Sequence, residues 1–113
     1  MVRKICIFII LLFLVSCAQI VRAPVKYDYR NYEKMYAAAI AQGTRMSYTI
    51  DEQNKEYGIV KMSRKAGHST YKIKVDFGAD SFTIEGGIDT DLFNPSIGKD
   101  VQAIEDAIEE AAR

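Results

Sequence analysis

From Tyr32 onward apolar side chains recur with helical spacing: Tyr32, Met35, Tyr36, Ala39 and Ile40 fall at i, i+3, i+4, i+7 and i+8. A helix can bury such a stripe along one side. Asn31 stands where an N-cap belongs, and Gly43 stands where a helix commonly stops. From Arg45 to Asp51 the period changes to two, with Met46, Tyr48 and Ile50 on one face and Arg45, Ser47 and Thr49 on the other. That pattern predicts a half-buried strand. The polar run 51–56 predicts a turn, Tyr57 to Arg64 a second strand, and Gly67 marks the next turn. Tyr71, Ile73, Val75 and Phe77 then alternate with Thr70, Lys72, Lys74 and Asp76 in the clearest strand of the chain. After Gly78-Ala79-Asp80 a fourth strand is expected over Ser81 to Glu85, with Phe82 and Ile84 inward and Gly86-Gly87 ending the sheet.

Past a loop containing Asn94-Pro95, Val101, Ile104, Ala107, Ile108 and Ala111 form the apolar stripe of a final helix, with Glu105, Asp106, Glu109 and Glu110 outside. The expected fold is therefore α+β: a helix, four antiparallel strands and a second helix, with both helices on one face of the sheet. Two helices can cover only one face of so small a sheet, which leaves the other in water.

The N-terminus follows a different rule. Arg3 and Lys4 precede an apolar run from Ile5 to Val15, and small residues follow, the order of an export signal. Eleven residues at 1.5 Å each reach about 16 Å as a helix, whereas a membrane span needs about 20 residues. An anchor helix would have to extend through Ile20-Val21, past Cys17. The segment Leu14-Val15-Ser16-Cys17 resembles the lipobox of bacterial lipoproteins, in which the cysteine thiol receives a diacylglyceryl group and the signal is cut just before it. The competing reading is a secretory signal with an unmodified cysteine at its end. The resemblance implies lipidation of Cys17, and two or three acyl chains hold a protein stably where one does not. Ala18 follows the cysteine, which in the lipoprotein-sorting pattern of double-membrane bacteria is similar to the outer-membrane class.

Residues 1–16 are thus expected to be a signal peptide, 17–30 a lipidated N-terminus and flexible tether around Pro24, and 31–113 a single domain. About 83 residues suffice for one modest core and not for two. The domain itself, from Ala38-Ala39-Ile40-Ala41-Gln42-Gly43 through Gly58-Ile59-Val60 and His68 to the Tyr71–Phe77 and Ser81–Glu85 strands, resembles a group of small bacterial lipoproteins of unassigned function.

Charge is balanced over the 113 residues, with 15 basic and 15 acidic side chains. Nothing in that balance favours nucleic acid as a partner. Loss of residues 1–16 would remove Arg3 and Lys4 and leave 13 basic against 15 acidic groups, a net of −2. The sign is unevenly distributed: residues 22–74 carry 11 basic and 5 acidic groups, residues 75–113 carry 2 and 10. With the strand phases above, Arg45, Lys61, Lys72 and Lys74 share the open face with Ser47, Thr49, Ser63, Thr70 and Thr83. That face is the candidate interaction surface, with an envelope protein, a glycan or a lipid headgroup as partner. A merely solvated sheet face is the competing reading.

Other chemistry is thin. His68 is the single histidine, beside Ser69 in a turn, and adjacent residues rarely face each other as base and nucleophile. Asp89, Asp91 and Asn94 space oxygen ligands as a Ca²⁺ loop does but lack a bidentate acid at the far end. Tyr27 and Tyr29 flank the tether and suit a headgroup interface or a partner. Neither metal, cofactor nor catalysis is expected. The sequence therefore predicts a membrane-anchored, non-catalytic envelope lipoprotein docking through its open sheet face; the alternative is a small carrier holding an amphiphile between the helices and the sheet.

Overall fold

The computed structural model describes residues 19–88 and 96–113. The expected signal peptide, Cys17 and the Asp89–Asn94 loop lie outside the described residues.

The first helix, α1 (Tyr32–Arg45), forms where the apolar stripe predicts it and buries Tyr32, Met35, Tyr36 and Ala39. Its entry differs from expectation. Asn31 makes no side-chain cap bond; instead a short 3-10 turn at Tyr29–Asn31 precedes the helix, and the Asp28 carboxylate accepts from the Arg30 amide at 3.0 Å. Nor does Gly43 stop the helix. It is buried against the sheet, and a Cβ there would lie 2.5 Å from the Met62 sulfur. The helix runs on to Arg45, and Ser47 turns the chain at φ 72°.

Six strands follow the order of the chain: β1 (Gln19–Val21), β2 (Val25–Lys26), β3 (Thr49–Asn54), β4 (Ile59–Ala66), β5 (Ser69–Phe77) and β6 (Ser81–Ile88). All pairings are antiparallel, in the spatial order β1-β6-β5-β4-β3, with β2 also on β6. The α+β class is as expected, but the sheet has six strands and not four. The two extra strands come from the segment read as tether. Gln19 pairs with Gly87 and Val25 with Phe82, so the chain start closes the β6 edge on both sides of Pro24. Proline is tolerated there because an edge strand has one side free of ladder bonds.

Gly86-Gly87 does not end β6 either. Ile20 pairs with Gly86, and a Cβ on Gly86 would lie 2.6 Å from Val101 Cγ2. The glycine is the hollow into which the second helix, α2 (Ser96–Ala111), settles. Gly67, with φ +67°, takes the positive φ that the first central position of a II′ hairpin needs between β4 and β5.

Register shows that both helices lie on the same face. Met62, Ile73 and Gly86 stand in one cross-strand row; α1 meets that row through Gly43 at Met62, and α2 meets it through Ile97 and Val101 at Gly86. The buried face continues through Val60, Val75, Ile84, Phe77 and Phe82. At the far end of β5 the rings form a cluster, with Phe77 5.5 Å from Tyr32, 5.5 Å from Phe82 and 5.8 Å from Tyr27. Tyr27, which the sequence makes suitable for an interface, is packed into this cluster and donates to the Gly78 carbonyl.

Candidate functional site

Strand alternation turns every second residue of β3–β6 away from the helices. Two cross-sheet rows result. One runs Thr49–Ser63–Lys72–Gly87–Gln19 and the next Glu52–Lys61–Lys74–Glu85–Val21. Lys61, Lys72 and Lys74 therefore share the open face, as the sequence phases predict. Arg45 does not join them. It is the last residue of α1 and bonds the Gln42 side chain of the same helix, because the helix outlasts Gly43 and the strand begins only at Thr49.

A shallow groove of about 510 Å³ crosses this face, lined by the three lysines with Asp51, Glu85, Gly87 and Ile88. Gly87 opposite Lys72 supplies the hollow, since it brings no side chain to the open face. The register also brings acids that the sequence reading left out. A β-bulge between Ile50 and Glu52 inserts Asp51 beside Glu52, and Glu85 stands opposite Lys74. Lys61 spends its charge on Glu52, at 3.4 Å with both side chains half exposed. Among the described residues Lys72 and Lys74 have no ion pair within 4 Å. The face is amphoteric, with two free ammonium groups flanked by carboxylates. Such an arrangement donates to phosphate or carboxylate oxygens and accepts from hydroxyl or amine groups.

Among the described residues the covered face holds an Arg22–Glu105 ion pair at 3.2 Å and a larger polar cluster around Arg64. Val60, Met62 and Arg64 are in phase on β4, so Arg64 points toward the helices. Its Nη2 donates to Asp100 Oδ2 at 2.7 Å, and Tyr48 Oη donates to the same oxygen at 2.7 Å. The guanidinium lies 5.1 Å from the Tyr48 ring centroid and 4.9 Å from that of Tyr71, within cation–π range. Burial raises the Tyr48 phenol pKa, and the Asp100 carboxylate raises it further. The Asp100 bond raises that of Arg64. Both side chains of the ion pair are largely covered. Two-residue periodicity carried the signal for this clasp, since an arginine in phase with Val60 and Met62 requires a carboxylate from whatever covers the sheet.

His68 is exposed at the tip of the β4–β5 hairpin. Among the described residues no group of three or more His, Cys, Asp or Glu side chains is placed to hold a metal, and no helix is long and apolar enough to cross a membrane. Between helices and sheet the close approaches at Gly43 and Gly86 leave the layers in direct contact. No protein-family model matches the chain, and no curated protein matches it.

Proposed function

We propose that this chain is a lipid-anchored protein of the bacterial cell envelope, held by Cys17 in the outer membrane and facing the periplasm, that acts without catalysis by docking on an envelope component through its open sheet face. The single observation that supports the docking surface is the groove in which Lys72, exposed, and Lys74, half-buried, stand beside Gly87 without an ion pair among the described residues. The anchor rests on the resemblance of Leu14-Val15-Ser16-Cys17 to a lipobox. The partner is an anionic glycan, headgroup or protein patch, since ammonium groups are the free donors. The interlayer packing gives no support to the amphiphile carrier.

Two measurements test this. The mass of the protein from native membranes should begin at Cys17 and include a diacylglyceryl and an acyl increment; a chain that retains Met1 or carries no lipid defeats the anchor. A photocrosslinking residue at Thr83, on the open face, should capture a partner in intact cells. Replacing Lys72→Glu and Lys74→Glu together should abolish that capture, and undiminished capture removes the face from the proposal.

A further inference from the structure

The row Thr49–Ser63–Lys72–Gly87–Gln19 divides the molecule along its strands. Beyond it lie the end of α1, the β4–β5 hairpin and the first turn of α2. Residues 42–50 and 63–73 contain no aspartate or glutamate. They do contain Arg45, Lys65 and Lys72, all exposed, and Lys99 on α2 is exposed between Gly98, which approaches Ile20, and Asp100, which is bonded to Arg64. Asp100, the described carboxylate at this end, is occupied by Arg64 and Tyr48. The opposite end is mixed: Asp28 and Glu33 are paired with Arg30 and Lys55, Lys26 and Lys34 stand exposed, and Glu56, Asp76 and Asp80 have no cation within 4 Å among the described residues, beside the exposed rings of Tyr29 and Tyr57. Among the described residues the excess of positive charge therefore lies at the hairpin end of the strand axis.

Gln19, the first described residue, lies at the basic end. Gln19 opens β1 within that row, and two peptide units separate its Cα from that of Cys17, a reach of about 7–8 Å at 3.8 Å per step. We infer that the domain seats directly on an anionic phospholipid leaflet by this end, the hairpin at Gly67–His68 and the Lys65 and Lys99 side chains against the headgroups. The inference rests on Cys17 being the lipidated residue. With so short a link the domain cannot stand off the bilayer, and of its two ends the one beside the anchor carries the charge that an anionic surface attracts. The strands then run along the bilayer normal, the groove opens sideways, and Tyr57 points away from the membrane.

The test uses the acylated full-length protein in vesicles of phosphatidylglycerol and phosphatidylcholine doped with headgroup-nitroxide lipid. Cys6 leaves with the signal and the Cys17 thiol is acylated, so an introduced cysteine is the single site for a fluorophore. A label at His68→Cys should lose most of its emission to the nitroxide, whereas one at Tyr57→Cys, about 27 Å further along the strand axis at 3.4 Å per residue, should keep it. Equal quenching, or stronger quenching at position 57, overturns the seating. In the same vesicles Lys65→Glu and Lys99→Glu together should bring quenching at position 68 down to the level at position 57; unchanged quenching overturns the electrostatic part. A protein that lacks acyl mass and does not float with the vesicles defeats the anchor itself and this inference with it, whereas an acylated, floating protein with equally quenched labels defeats the seating alone.

Discussion

Asp100 Oδ2 accepts from Arg64 and Tyr48 at once, and the clasp joins β4, the α1–β3 connection and α2 through one carboxylate. Removing that carboxylate strands a covered guanidinium and a covered phenol. Asp100→Ala should therefore cost about 2–3 kcal/mol in chemical denaturation. Adding Arg64→Met should cost less than the sum of the two single changes, because no unpaired charge then remains. Strict additivity would mean that the ion pair contributes nothing beyond its separate side chains. Lys61–Glu52 is a different case: with both groups half exposed, water screens the pair and little stability depends on it. Side-chain phase with Val60 and Met62 was the signal that places Arg64 on the covered face, and the sequence reading did not use it. Its partner was not legible, since Asp100 reads in sequence as one more polar residue of an amphipathic helix.

At the scale of elements most long periodic segments read correctly, but the alternation over 45–51 did not: it spans the end of α1 and the turn at Ser47, and β3 (Thr49–Asn54) takes up most of the polar run read as a turn. Both helices and the cores of β4 and β5 lie where three or more apolar residues repeat in phase. β1 and β2 span three and two residues, too few to show any period, and they are strands because β6 offers them an unpaired edge. Gly43 and Gly86 were misread for a related reason. Sequence marks them as punctuation, but each lies inside its element, where a helix and the sheet approach too closely for a side chain. Edge pairing is measurable by amide hydrogen exchange. The Arg22 amide bonds the Ile84 carbonyl and the Tyr27 amide bonds the Asp80 carbonyl, each at 3.0 Å. Both should exchange at least ~100-fold more slowly than an unstructured chain. Random-coil rates at both positions would restore residues 19–27 to the status of a tether.

For the whole molecule, the aromatic cluster ties the chain start, α1 and the β5–β6 turn into one unit, and its phenols set an upper pH limit. Burial pushes the Tyr32 pKa up to about 12, with Tyr36 and Tyr29 adding to it, and raises that of Tyr48 as well. A phenol with a folded pKa above its unfolded value of about 10 stabilises the fold fully below pH 10, and that contribution is lost as pH rises through the folded value. Thermal midpoints should fall between about pH 10 and 12, and Tyr32→Phe should lessen the fall; an identical alkaline decline in the variant would assign it to other groups. Hydrophobic period alone determined the α+β class, the helix stripes and the inward side of each long strand, because burial of one face is dictated by which residues are apolar. The same alternation placed Lys61, Lys72 and Lys74 together on the open face. Register decided the rest: that a bulge brings Asp51 and Glu52 beside those lysines, that Arg45 stays on its helix, and that Gln19–Val21 is a strand on the β6 edge. Those features depend on which residues of distant segments lie opposite one another, and a spacing along one segment carries no record of its partner.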